Sequence, residues 1–212
     1  MKNSIFPYAD FAMHHRIVIL AAGSSERLGQ PKQLLSFQGS SLIQHTVRAA
    51  IEALDKPPLV VTGGYEALVR NELTDTEVEI VYNADWQSGM ASSVRTGLRS
   101  VMEDSGLQGV VLAVSDQPYV TAGLFSALFR VGQKSPKSIV ACRYADGTTG
   151  TPVLFKKEMF DKLLLLSGIE GARKIIRNHP DQVETVDFPK GGIDIDTTED
   201  YTNLLMQDRH AE

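Results

Sequence analysis

The feature of this sequence that most limits its fold is an apolar run, Ile17, Val18, Ile19 and Leu20, that gives way at once to Ala21, Ala22, Gly23, Ser24 and Ser25. A continuous apolar run without polar alternation suits a strand buried on both faces, and such strands belong to parallel sheets covered by helices. Small residues directly after it leave backbone N–H groups uncovered, as a cradle for phosphate oxygens requires. Arg27 and Lys32 then place two cations close to the cradle, where they can meet the charge of a polyphosphate. A glycine turn followed by two solvated cations is the plainer reading of the same residues.

The rest of the chain alternates. Ser40 or Ser41 can cap a helix that carries Ile43, Val47, Ala50, Ile51 and Leu54 at helical spacing. Strands are expected over residues 59–62, 78–82, 109–115, 139–143, 152–155, 183–188 and 193–195, the run at 109–115 being apolar enough to be central. Between them fall helical patterns at 65–73, from Met90 through Val94 and Leu98 to Val101 on one face, and from a Thr121 cap through Leu124, Leu128 and Val131. Further helical stretches cover 160–166 and 170–178, and Thr197 or Thr198 caps the last helix. This order predicts an α/β fold with a doubly wound, mainly parallel sheet and ligands at the carboxyl ends of the strands. With 212 residues the chain suits one domain, residues 16–206, between a loose tail at 1–15 and a short one at 207–212.

Composition removes several functions. A formal net charge of −5 argues against nucleic acid as a partner. No apolar run reaches membrane-spanning length, and the first residues lack the apolar core of a signal peptide, so a cytoplasmic protein without a membrane partner is expected. Cys142 is the only cysteine, which excludes an internal disulfide framework and suits the cytosol. The histidines show no zinc spacing, and no Gly-x-Ser-x-Gly nucleophile elbow occurs.

The loop is neither of the two familiar phosphate loops. Gly29 is followed by Gln30 and Pro31 before Lys32, which breaks Walker A, and Ser25 stands where the dinucleotide fingerprint needs its second glycine. Asp116, in Ser-Asp-Gln-Pro after the apolar run at 109–115, is placed at a strand's carboxyl end, where a hard oxygen ligand suits Mg²⁺. Asp194 and Asp196 lie two apart in GIDIDTTEDY and share a face if that segment is extended. Turn formation or helix capping is the plainer role for such aspartates.

The order Leu-Ala-Ala-Gly-x-Ser-x-Arg-Leu-Gly-x-x-Lys at residues 20–32 resembles the signature loop of the MobA-like NTP transferase family, and within it the molybdenum cofactor cytidylyltransferase group. The Ser-Asp-Gln-Pro and Asp-Ile-Asp-Thr-x-Glu-Asp-Tyr segments, and Asn83-x-x-Trp86-x-x-Gly89-Met90, are similar to further motifs of the family. The resemblance implies a nucleotide-diphospho-sugar transferase-like, Rossmann-like three-layer fold and transfer of CMP from CTP to the phosphate of molybdopterin, with release of pyrophosphate. It implies Mg²⁺ on Asp116 and Asp196, Arg27 and Lys32 as catalytic cations, and nucleotide contacts from residues 21–25, Gly89, Ser92 and Ser93. Gln117, Gly150 and Thr151 fall on its acceptor side, and a molybdoenzyme or its chaperone would receive the product. Within the family Leu-Ala-Ala-Gly accompanies pyrimidine nucleotides and Leu-Ala-Gly-Gly accompanies GTP. Thr151 and Ile169 stand where relatives keep histidine and aspartate. Two alternatives therefore stay open: another phosphorylated acceptor such as a sugar or polyol phosphate, and a non-catalytic carrier of the cofactor.

Overall fold

The computed structural model describes residues 11–209 apart from Met13, Glu26, Arg27 and Asp55. Its elements in chain order begin with β1 (His15–Ala21), a small ribbon of β2 (Ser36–Phe37) and β3 (Ser40–Ser41), α1 (Leu42–Ala53), β4 (Leu59–Thr62), α2 (Glu66–Glu72) and β5 (Glu79–Tyr82). There follow α3 (Met90–Val101), β6 (Gly109–Val114), α4 (Ala122–Lys134), β7 (Ile139–Arg143), β8 (Thr149–Lys156), α5 (Phe160–Leu164), α6 (Ala172–Asn178), β9 (Val183–Asp187) and α7 (Thr198–Arg209).

Seven strands form one sheet in the order β5-β4-β1-β6-β8-β7-β9, with β6 at its centre as its hydrophobicity predicts. Every neighbouring pair is parallel except the two made by β8, which runs antiparallel to both β6 and β7. In β1 the alternating residues divide cleanly. Ile17 and Ile19 enter one core layer with Ile43 and Val47 of α1 and Phe125 and Leu128 of α4. Val18 and Leu20 enter the other, with Val94 and Leu98 of α3, Leu163 of α5 and Ile176 of α6. Both faces of the strand are thus covered, which is why its sequence is apolar throughout and not alternating.

The caps follow local chemistry. Ser41 closes a capping box with Gln44 at the start of α1, and the Thr121 hydroxyl accepts from the Leu124 N–H at 3.2 Å. Thr197 caps α7: its hydroxyl accepts from the Asp200 N–H at 3.1 Å, while the Asp200 carboxylate accepts from the Thr197 N–H at 2.8 Å.

The structure corrects four details. Residues 193–195 form no strand; Ile195 instead buries its side chain in a small cluster with Leu28, Leu35, Phe37, Leu42 and Leu204, and β9 already forms the sheet edge on that side. The stretch expected to be a loose tail ends earlier than residue 15, because His15 opens β1 and is 1% exposed; residues 1–10 of that tail lie outside the described ones. At the other end α7 runs on to Arg209, into the span expected to be a tail. The ribbon of β2 and β3 was not predicted, each strand being too short to carry a period. Among the described residues no helix is long and apolar enough to cross a membrane.

Candidate active site

The carboxyl ends of β1, β4 and β6 meet at one rim, and a cavity of about 420 Å³ opens there. Its walls include Ala22, Gly23 and Ser24 from the loop after β1, Lys32, Ser93 of α3 and Asp116 after β6. Residues far apart in the chain are therefore brought together because parallel strands end at the same level. Arg27 lies outside the described residues.

The loop is fixed from behind. Gln33, 1% exposed, donates through its amide to the carbonyl oxygens of Ala21 and Gly23 at 3.0 Å each, and the Gly64 N–H donates to the Ala22 carbonyl at 3.2 Å. The Ser25 hydroxyl accepts from the Lys32 N–H at 3.1 Å, with Ser25 itself at a φ of 51°. Gly63 makes the approach of β4 possible: a Cβ there would lie 2.5 Å from the Ala22 carbonyl oxygen and 2.8 Å from both the Ala22 and Trp86 Cβ atoms. The sequence marks Gly63 only as a strand end, and nothing in it singles out Gln33. Two glycines closing the strand that neighbours a phosphate loop are the signal that was available for the first.

Lys32 sits between two carboxylates. Its ammonium is 2.5 Å from Asp116 Oδ2 and 3.1 Å from Asp196 Oδ1, and it is four-fifths shielded from solvent. Burial disfavours the ammonium, but the adjoining Asp116 and Asp196 carboxylates outweigh burial and hold the group above its ordinary pKa. Asp116 Oδ1 is buried and has no hydrogen-bond partner. An orphaned oxygen on a carboxylate that shares Lys32 with a second carboxylate suits a hard divalent cation, so the residues fit the metal that the motifs imply. Among the described residues no three His, Cys, Asp or Glu side chains converge on one point, and a cation here must complete its shell with other oxygens. Asp196 is held in turn, its N–H donating to the Asp200 carboxylate of the α7 cap at 3.2 Å.

Asp194 and Asp196 part company. Asp194 lines a second cavity of about 850 Å³ with Tyr144, Thr148, Thr149, Arg173 and Arg177. Its carboxyl is crowded on the protein side and also feels the charges of Asp116 and Asp196, which together push its pKa up to about 6 against the opposing pull of Arg173 and Lys32.

Of the residues expected at the base, Gly89 and Ser93 line the first cavity and Ser92 does not. Asn83, buried and the first residue of the family-like motif, donates to the Ser92 hydroxyl at 2.8 Å and the Ser93 hydroxyl at 3.0 Å. Ser92 passes its own proton to the Gly89 carbonyl at 2.8 Å, which commits its hydroxyl to the turn. Gly89 adopts a φ of 107° under the loop between α5 and α6, where a Cβ would stand 2.4 Å from the Gly168 carbonyl oxygen. The Ala91 N–H donates to that same oxygen at 3.1 Å, so this amide at the start of α3 is already satisfied. Met90, expected on the packed face of α3, is 47% exposed and belongs to the cavity wall.

Of the residues expected on the acceptor side, Gln117 is buried, and its amide nitrogen lies 2.6 Å from the Gly191 carbonyl, 3.1 Å from the Thr151 carbonyl and 3.1 Å from the Tyr144 hydroxyl. The Tyr144 hydroxyl donates to the Thr151 carbonyl at 2.7 Å, and Gly150 lies directly against it. These contacts brace Tyr144, which lines the second cavity. Gln117→Leu leaves buried carbonyls short of a donor at about 1–3 kcal/mol each. At about 2–4 °C per kcal/mol for a chain of this size, thermal unfolding is expected to fall by several degrees. An unchanged midpoint would show that the brace carries no stability.

The model of the MobA-like NTP transferase domain matches residues 17–183. The nicotine blue oxidoreductase of Paenarthrobacter nicotinovorans is 28% identical over 196 residues, covering 89% of this chain and 95% of that protein. The purine catabolism protein PucB of Bacillus subtilis (strain 168) is 28% identical over 201 residues, covering 87% and 92%. The molybdenum cofactor cytidylyltransferase of Escherichia coli (strain K12) is 21% identical over 200 residues, covering 92% and 96%. Among solved structures, Rv0371c from Mycobacterium tuberculosis H37Rv superposes with a TM-score of 0.80 at 32% identity, over 92% of this chain and 98% of that one. Its complex with manganese gives 0.75 at 30% identity, over 91% and 98%. A chain matched over most of its length by that domain, with a lysine between two carboxylates beside a strand-end loop of small residues, belongs to the MobA-like NTP transferase family and is a nucleotidyltransferase.

Proposed function

We propose that this nucleotidyltransferase moves CMP from CTP to the phosphate of molybdopterin carrying molybdenum, working in the cytoplasm and handing its product to a molybdoenzyme or its chaperone. The observation that carries the reading is the first cavity, in which a loop with its carbonyls tied back faces Lys32 and Asp116. An acceptor phosphate oxygen attacks the α-phosphorus of CTP in line, the new P–O bond forms, and the bond to the departing pyrophosphate breaks. Asp116 and Asp196 would hold Mg²⁺, which when bound neutralises charge on the reacting phosphates. Lys32, with Arg27 from the same loop, stabilises charge that grows in the transition state. Ser93 accepts from Asn83 and so has its own proton to offer a base acceptor.

Ala22 supports CTP. Its methyl group is backed by Gly63 and the residue lines the cavity, occupying room beside the base that a purine would need. Ala22→Gly is expected to raise GTP use relative to CTP, by about ten- to two hundredfold if shape alone discriminates. Pyrophosphate release with each of the four NTPs, in wild type and variant, checks this. A wild type that prefers GTP, or a ratio that does not move, would remove Ala22 as the reader of the base.

Transfer to a sugar or polyol phosphate is the second reading, favoured by Ile169, which is 91% exposed on the loop over Gly89 where the family keeps an acid. Offering molybdopterin and a set of sugar phosphates in parallel separates the two. Binding of the pterin without any pyrophosphate release would instead favour a non-catalytic carrier.

A further inference from the structure

We infer that Lys32 plugs the metal seat of the nucleotide-free protein, so that a divalent cation enters together with the polyphosphate that draws the lysine away. The inference rests on the reading of Asp116 and Asp196 as the carboxylates that hold the metal. The Lys32 ammonium lies 2.5 Å from one and 3.1 Å from the other. A magnesium ion bound to such oxygens sits about 2.0–2.1 Å from them. A cation that bridged these same two oxygens would claim the ammonium's volume.

Two further observations point the same way. Among the described residues no third acidic, histidine or cysteine side chain joins the pair, so two carboxylates alone must compete against a cation already seated between them. A magnesium ion gives up its waters reluctantly and is usually bound by one or two carboxylates with substrate phosphates supplying further ligands. The lysine is also placed to serve either state. Its backbone N–H is anchored to the Ser25 hydroxyl at 3.1 Å, which roots the residue in the phosphate loop itself. From that root a flexible four-carbon stem reaches the carboxylates, or turns to a phosphate in the cavity it lines. Exchange of one counter-ion for another keeps Asp116 and Asp196 compensated throughout, and it ties loading of the metal to arrival of the nucleotide.

The test is Mn²⁺ binding without nucleotide, followed by the electron paramagnetic resonance signal of the free aquo ion on the full chain. Lys32→Met is expected to bind Mn²⁺ at least about tenfold tighter than wild type, and Lys32→Gln, which keeps a polar side chain, likewise. Arg173→Met, which removes a cation that faces Asp194 without occupying the seat, is expected to leave the affinity within about twofold. Equal affinity in wild type and both Lys32 variants would overturn the plug and leave a structural ion pair. A gain as large in Arg173→Met would overturn it too, since the effect would then be one of general field. Adding Asp116→Asn to Lys32→Met should abolish the tight site; persistence of that site would instead remove Asp116 from the metal and with it the underlying reading.

Discussion

Replacing Asp116 by asparagine is expected to lower turnover by about 10³-fold or more, the several kcal/mol of charge stabilisation that a bound metal supplies at about 1.4 kcal/mol per factor of ten. The fold should persist. The substitution keeps the shape of the side chain, Lys32 retains Asp196 as a partner, and Asp116 Oδ1 has no hydrogen bond to lose. The measurement is pyrophosphate release under saturating nucleotide and metal, beside a thermal unfolding curve. Undiminished turnover would take Asp116 out of the site. Collapse of the fold would mean that the Lys32 pair is an architectural clasp between the end of β6 and the segment before α7.

A second large effect lies on the opposite side of the sheet from that rim. His15 is 1% exposed, stacked on Phe11 with ring centroids 4.1 Å apart, and its Nδ1 lies 2.6 Å from the Phe11 carbonyl oxygen. That contact puts the proton on Nδ1 and leaves Nε2 buried without a partner. Burial disfavours the imidazolium and lowers the pKa to about 4, from an ordinary 6.5. Between those two values the unfolded chain takes up a proton that the folded chain refuses, so stability is lost as the pH falls from 6.5 toward 4. A shift of this size amounts to about 3 kcal/mol for a side chain so well shielded. Chemical denaturation at pH 7 and pH 4.5 should reveal most of this loss in wild type, and a smaller one in His15→Asn, whose amide keeps a donor near the place of Nδ1. Identical acid sensitivity in the two proteins would show that His15 does not carry it.

The sheet was legible because its strands are apolar on both faces and its helices amphipathic on one, two patterns that differ in period. What could not be read is the crossing of the chain after β6. No period distinguishes the antiparallel strand β8 from its parallel neighbours, since all are buried in the same way. The site was legible where small residues, a lysine and an aspartate fall directly after apolar runs, and the cavity gathers Ala22, Gly23, Ser24, Lys32 and Asp116. Gln33 and Gly63 act on the backbone of the loop, through a buried amide or an absent Cβ, and such roles leave no pattern along a sequence; Asn83 stood in a motif, but its hold on Ser92 and Ser93 needed the fold. Asp194 and Asp196 were expected to share a face on the assumption of a strand; without that strand Asp194 lines the second cavity and Asp196 turns to Lys32.

The reversal of β8 also has a bearing on how proteins of this kind diverge. Because β8 runs against β6 and β7, the chain between β7 and β8 returns to the rim as a hairpin, with Asp146 at its exposed tip and Tyr144 and Gly150 at its base. That hairpin and α6 furnish much of the second cavity, while the loop after β1, the start of α3 and the end of β6 furnish the first. Lengthening or shortening a hairpin tip leaves the register of the parallel strands untouched. On a reading in which the second cavity takes the acceptor, a change of length at this tip would alter acceptor range at one edge of the molecule without moving the loop after β1.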